Sequence, residues 1–101
     1  MKIYQTAYYQ VKPEAVEKVK KAISEFVDYI KTNEPATLMY KAWQDKQDPT
    51  KFVHLFIFAN EKAQKIHSES TEVKKFESIY KPVLVGGPVI FTDYLTVAEN
   101  H

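Results

Sequence analysis

The sequence predicts a single α+β domain, residues 1–101, with its elements in the order β-α-β-β-α-β. Residues with strand-like alternation open and close the chain, and an amphipathic helical pattern follows the first strand. The most apolar run, residues 52–59, lies between a turn signal and a second helical pattern. A chain of 101 residues is too short for two independent cores, so we expect one site in one domain.

The first half of the chain has a strand, a helix and a second strand. Residues 3–11 alternate in polarity with the period of a strand. Pro13 suits a first helical position, and Pro35 ends the helix. The apolar stripe of this helix consists of Val16, Val19, Ile23, Phe26, Val27 and Ile30. Residues 37–44 mix apolar and charged side chains, which is typical of an edge strand, and the turn at residues 45–49 ends it.

The second half of the chain has a strand, a helix and a final strand. Residues 52–58 are the most apolar strand and belong at the centre of the sheet. Asn60 is a suitable N-cap for the second helix, which we expect to be bent or split near residues 68–70. The run Gly86-Gly87-Pro88 indicates a turn before a last strand over residues 89–97.

This order predicts a four-stranded antiparallel sheet with both helices on one face. The third strand then has two apolar sides, with Phe52, His54, Phe56 and Phe58 on one and Val53, Leu55 and Ile57 on the other. The helices cover only one of them. An apolar face left in water costs about 25 cal/mol per Å². We therefore predict a homodimer joined through the sheet face, because a two-fold partner presents the same face.

Composition excludes several classes of function. The 14 basic and 13 acidic residues are interspersed, so no basic surface is expected for nucleic acid or an anionic membrane. The chain has no cysteine, which excludes disulfides, thiolate nucleophiles and Cys-ligated metals. Residues 1–11 lack the apolar core of a signal peptide, and residues 52–59 are too few to span a bilayer. We expect a cytoplasmic protein without a nucleic-acid or membrane partner.

Five segments, covering nearly the whole chain, carry a family resemblance. They are QVKPEAVEKV, the Glu34-Pro35 helix stop with the Tyr-bearing strand after it, DKQDPTKFVHLFIFANEKA, IHSESTEVKKF and KPVLVGGPVIFTDYLTV. Together they resemble the antibiotic biosynthesis monooxygenase family of ferredoxin-like, dimeric α/β-barrel proteins. Ala36 and Phe58 stand where Gly and Trp are common in the family. The heme-degrading branch uses an Asn where this chain has Ala7, so the resemblance does not imply heme degradation.

The resemblance implies a monooxygenase that acts without flavin, heme or metal on a quinol, anthrone or polyphenol-like substrate. Such a substrate, once deprotonated, itself donates an electron to oxygen. The protein then has to exclude water, hold a flat ring and supply a base and hydrogen-bond donors. The resemblance therefore implies no cofactor. A metal site is not expected from the residues either, since His67-Ser68-Glu69 has no second histidine nearby. Two alternatives stay open: an isomerase of the same fold using the same histidines, and a non-catalytic dimeric ligand-binding or stress-response module.

The catalytic candidates are histidines, because imidazole is the natural base near neutral pH. His54 shares its strand side with Phe56 and Phe58, which the resemblance places toward an internal cavity. The alternative is a neutral core histidine hydrogen-bonded to a tyrosine or the backbone. His67 matches a histidine frequent in the family, with a solvated surface histidine as the alternative. His101 is expected to be a frayed terminus.

The binding candidates are aromatic. The seven tyrosines and Trp43 include possible pocket residues, although most are expected to pack in the core. Tyr9 is favoured because strand alternation places it with Ala7 and Val11, on the side that we assign to the cavity. Tyr40 and Tyr80 are the next candidates. The substrate-binding candidates are Tyr9, Tyr40, Phe56, Phe58, Tyr80 and Phe91. A pocket of about 300 Å³ with an imidazole on its wall favours an enzyme.

Asp93 is a charged residue inside an otherwise apolar strand. We expect it to pair with a lysine at the rim of the dimer, because charges inside strands are most often exposed or paired. The alternative is that it orients a histidine.

Overall fold

A computed structural model describes residues 1–100, and in it the second helix of the expected order is divided in two. The elements are β1 (Ile3–Val11), α1 (Val16–Asn33), β2 (Thr37–Gln44), β3 (Lys51–Phe58), α2 (Glu61–Ser68), α3 (Thr71–Tyr80) and β4 (Leu84–Tyr94). Single helical turns at Pro13–Ala15 and Lys81–Val83 precede α1 and β4. The α+β, ferredoxin-like fold is confirmed.

The four strands form one antiparallel sheet in the order β2-β3-β1-β4. The predicted places of β3 at the centre and β2 at an edge are therefore confirmed. A row across the sheet joins Ala42, His54, Ala7 and Phe91 as successive partners. Because alanine flanks His54 on both sides, the small neighbours leave room beside the imidazole for the Tyr9 and Tyr40 rings.

The two sides of β3 differ as the alternation predicts. Phe52, His54, Phe56 and Phe58 are buried, whereas the residues between them are half-buried. The helices pack over the buried side, where Tyr9 and Val11 of β1 join α1 and α3 in the main core. The helical members of this core include Val19, Ile23, Phe26, Phe76 and Tyr80.

Two side-chain caps divide the second helix at the predicted place. The Asn60 side chain accepts a hydrogen bond from the Ala63 N–H at 2.9 Å and begins α2. The Ser70 hydroxyl accepts one from the Val73 N–H at 3.1 Å and begins α3. The last turn of α2 therefore ends just after His67, whose side chain lies against the sheet.

The prediction for β4 is wrong at both ends. The strand begins at Leu84 rather than residue 89 and ends at Tyr94 rather than residue 97. Gly86 and Gly87 have φ values of 76° and 111°, and the pairing with β1 shifts register at this point. The glycine pair thus forms an irregularity within the strand, not a turn before it.

The other side of the sheet is apolar and has no helix over it. Its side chains include Tyr4, Tyr8, Met39, Trp43, Val53, Leu55, Ile57, Ile90 and Tyr94, with Lys41 as a charged member. Trp43 and Ile90 expose more than half of their surface. We call this surface the open sheet face.

Across residues 1–100, no helix is both long and apolar enough to cross a membrane. The cytoplasmic location stays a prediction.

Candidate active site

A cavity of about 480 Å³ lies between the buried side of the sheet and the helices. This volume exceeds the value of about 300 Å³ that favours an enzyme. All eight predicted site residues line it: His54, His67, Tyr9, Tyr40, Phe56, Phe58, Tyr80 and Phe91. Their contact with a substrate stays a prediction, but the fold brings them to one place from six different elements.

His54 is held between two tyrosine hydroxyls. Its Nε2 lies 2.8 Å from the Tyr9 hydroxyl, and its Nδ1 lies 2.8 Å from the Tyr40 hydroxyl. Burial lowers the pKa of His54 to about 4, so the ring is neutral at physiological pH. These contacts match the alternative of a neutral, tyrosine-bonded core histidine, yet the same ring lies on the cavity wall.

The neutral ring of His54 determines the direction of the hydrogen bonds that it makes with the two tyrosines. One ring nitrogen carries a proton and the other does not, so one tyrosine donates to His54 while the other accepts from it. The accepting tyrosine has its own O–H left to donate to another group. Burial, with nearby Tyr80, raises the pKa of Tyr9, and burial also raises that of Tyr40, so both hydroxyls stay protonated. Tyr9, His54 and Tyr40 therefore form an uncharged hydrogen-bond chain on the cavity wall.

His67 has a buried carboxylate beside it. Its Nδ1 lies 2.8 Å from Oε1 of Glu34, and both side chains are almost completely buried. The same Oε1 accepts a hydrogen bond from the Thr37 hydroxyl at 2.9 Å. Within the described residues, Oε2 of Glu34 is buried and has no hydrogen-bond partner. His67 is thus not the solvated surface histidine of the alternative reading.

Parallel aromatic rings form much of the remaining wall. Phe26 and Phe76 stack with ring centroids 4.9 Å apart, and Tyr40 and Phe56 stack at 5.1 Å. The interplanar angles are 13° and 7°. Flat faces of this kind suit a planar aromatic ligand, because offset stacking adds to the stabilisation from apolar burial.

Three site residues were missed in the sequence. Phe26 and Phe76 line the cavity, but Phe26 was assigned only to the apolar stripe of the first helix and Phe76 was not singled out. Glu34 was interpreted as the helix stop alone. One signal was available for it: a carboxylate just after a helix C-terminus faces the negative end of the helix dipole, an unfavourable place unless another group holds it.

Asp93 has a partner within the chain: its carboxylate accepts a hydrogen bond from the Gln5 side-chain amide at 2.9 Å. The register of β1 and β4 places the two residues directly opposite each other, which explains this hydrogen bond. The pairing of Asp93 with a lysine at the rim of the dimer stays a prediction. Trp43 lies on the open sheet face and not at this cavity, and His101 lies outside the described residues.

Carboxylates and imidazoles are the metal-ligating groups that the cavity offers. In residues 1–100, no group of three or more such side chains is placed to hold a metal ion. The absence of a cofactor stays a prediction.

The comparison that decides the family is a sequence match. The profile of the family described as antibiotic biosynthesis monooxygenase matches residues 2–78, most of the chain. The chain belongs to this family. No curated protein matches it by sequence.

Solved structures agree in fold. A protein from Bacteroides thetaiotaomicron, whose own assignment as an antibiotic biosynthesis monooxygenase is provisional, has 20% identity over 99% of this chain and 93% of its own, with a TM-score of 0.89. Rv0793 from Mycobacterium tuberculosis has 14% identity over 100% of both chains and a TM-score of 0.86. A conserved protein from Methanosarcina mazei Go1 has 20% identity over 93% of this chain and 91% of its own, with a TM-score of 0.83. At these identities, the similarity concerns the fold alone.

Proposed function

We propose that this family member is a cofactor-independent monooxygenase that oxidises a small aromatic substrate of quinol, anthrone or polyphenol type. The observation that carries the proposal is the cavity of about 480 Å³, whose wall holds two imidazoles beside parallel aromatic rings. A packed interior with both histidines outside it would have favoured the non-catalytic module. The space and its lining favour a bound ring instead.

The two histidines have different roles in this proposal. Both nitrogens of His54 are occupied by tyrosines, so it acts through Tyr9 or Tyr40, whose free O–H stabilises the developing phenolate or peroxide oxygen. The Nε2 of His67 has no hydrogen-bond partner among residues 1–100 and belongs to a ring on the cavity wall. His67 is therefore the proton acceptor.

The reaction needs only the substrate, oxygen and these proton carriers. Removal of a proton from an anthrone by His67 leaves an electron-rich anion, which transfers its electrons to O₂. One oxygen atom replaces two hydrogens at the methylene carbon to form a carbonyl, and the other leaves as water with the two protons. The protein's contributions are exclusion of water, alignment of the ring and proton transfer.

The test is oxygen uptake by the purified protein with a panel of quinols and anthrones. We expect uptake with at least one of them, and a loss of about 10²-fold or more in His54→Ala and in His67→Gln. Tyr40→Phe should also lose activity, whereas Tyr29→Phe removes a tyrosine hydroxyl outside the cavity and should not. Retained activity in His54→Ala would remove His54 from the mechanism.

The isomerase alternative is favoured by the same proton-transfer groups and is separated by the same measurement. Conversion of a substrate without oxygen uptake would replace the monooxygenase with an isomerase. Binding of aromatic compounds without any conversion would indicate the non-catalytic module.

We also propose a homodimer joined through the open sheet face. A stable interface buries about 800 Å² per partner, and the open sheet face is the broad apolar surface that the helices leave uncovered. Leu55→Glu at its centre should shift the sedimenting species from dimer to monomer, while Lys18→Glu on the outer side of α1 should not. Wild-type protein that sediments as a monomer at micromolar concentration without aggregating would refute the dimer.

A further inference from the structure

The contact between Glu34 and His67 determines which nitrogen of His67 is free. A carboxylate has no proton to donate, so the 2.8 Å contact requires the proton on Nδ1 of the imidazole. The lone pair then lies on Nε2 of a ring that lines the cavity. Thr37 keeps the carboxylate in place by donating its hydroxyl to the same Oε1. The side chain at the end of α1 thus sets the tautomer of a ring in α2.

We propose that Glu34 is the positioning residue for His67: it holds the ring in the Nδ1–H tautomer and stabilises the imidazolium that forms when Nε2 takes a proton from the substrate. This inference rests on the proposed function and deepens it. The second oxygen of the Glu34 carboxylate supports this role, because Oε2 is buried and has no hydrogen-bond partner in the described part of the chain. Among the described residues, protonated His67 is the cation that pairs with this carboxylate.

Other titratable groups surround the cavity without matching this contact. They are Tyr9 on β1, Tyr40 on β2, His54 on β3, Glu61 and Lys65 on α2, and Glu77 and Tyr80 on α3. The ring of Tyr40 packs 5.7 Å from that of His67, centroid to centroid, and is held by His54 rather than by His67. Glu34 is the carboxylate within hydrogen-bond distance of His67, so its removal should change the tautomer of this histidine most.

The test is the tautomer of His67, read from the imidazole nitrogen shifts by NMR in labelled protein and assigned with His67→Gln. In Glu34→Leu, which roughly keeps the size of the side chain but loses both acceptor oxygens, we expect the fraction of the Nδ1–H tautomer to fall by about threefold or more. Glu69→Gln removes an exposed carboxylate two residues from His67 and should leave the tautomer unchanged. An unchanged tautomer in Glu34→Leu would overturn the proposal.

A measurement on the unaltered protein covers the case in which Glu34→Leu does not fold. The imidazole nitrogen shifts report the tautomer directly, and we expect Nδ1–H with an unprotonated Nε2 in the neutral ring. The opposite tautomer would overturn the proposal without any variant.

The kinetic consequence separates this proposal from the proposed function. With a substrate found by oxygen uptake, Glu34→Gln should lower kcat about 10-fold with KM nearly unchanged, because the imidazolium loses its carboxylate. An unchanged kcat, or a loss that appears only in KM, would overturn the positioning role. If no compound in the panel supports oxygen uptake, the proposed function fails, while the tautomer still decides whether Glu34 controls His67.

Discussion

Acidification should destabilise this protein through His54. The ring is almost fully buried, and burial lowers its pKa from the ordinary 6.5 to about 4. Between these values the unfolded chain binds a proton that the folded protein does not. The free energy of unfolding therefore decreases as pH falls from about 6.5 to about 4, and this group has no effect above that window. At about 1.4 kcal/mol per pKa unit, the loss is about 3 kcal/mol.

The assay is urea denaturation at about pH 7 and about pH 4.5, at one protein concentration so that self-association does not enter. His54→Gln keeps an amide donor and acceptor for the two tyrosines but does not titrate. Wild-type protein should lose about 2 to 3 kcal/mol more than His54→Gln between the two pH values.

The carboxylates with lowered pKa values do not produce a difference in pH dependence between wild-type protein and His54→Gln. Hydrogen bonds in the turn after β2 lower the pKa of Asp45 and of Asp48, so their stabilisation is lost only as pH falls below the ordinary carboxylate range toward those lowered values. That loss occurs equally in wild type and variant. Equal pH dependence in the two proteins would refute the reasoning and indicate that the folded protein accommodates a protonated His54.

Three further substitutions test the fold. Asn60→Ala removes the cap of α2 and should lower the free energy of unfolding by about 1 kcal/mol, with Lys62→Ala as the control on the exposed side of the same helix. Gly87→Ala places a side chain at a φ of 111° and should cost more than about 1 kcal/mol, again by urea denaturation. Phe76→Ala removes a ring stacked on Phe26 and should lower the thermal midpoint at a cost of about 3 kcal/mol; an unchanged midpoint would show that the cavity wall is not part of the core.

Local patterns predicted the elements well where one physical signal dominates. The alternation of β3 placed His54 with the buried phenylalanines, and Asn60 began α2 because its short side chain satisfies a free N–H. The prediction failed at β4, where Gly86 and Gly87 were interpreted as a turn. Glycine permits a positive φ in a turn and in a strand irregularity alike, and the choice depends on the pairing with β1.

The candidate site was predictable only in part. His54 and Tyr9 stood out because each is a chemically capable residue on a strand side that alternation assigns to the interior. The partner of His67 did not, since Glu34 is 33 residues away and ends a helix. No local pattern connects two such positions.

The chain by itself determined which side of β1 and of β3 faces inward, with Tyr9 and His54 on it, and where α2 begins, because these follow from periodicity and from a cap within a few residues. The tertiary structure alone decided that both nitrogens of His54 meet tyrosines and that Glu34 meets His67. It also left a cavity instead of a filled core. The physical reason is that hydrogen bonds and empty space between distant segments depend on how helices and sheet pack together, and periodicity within a segment carries no information on that distance.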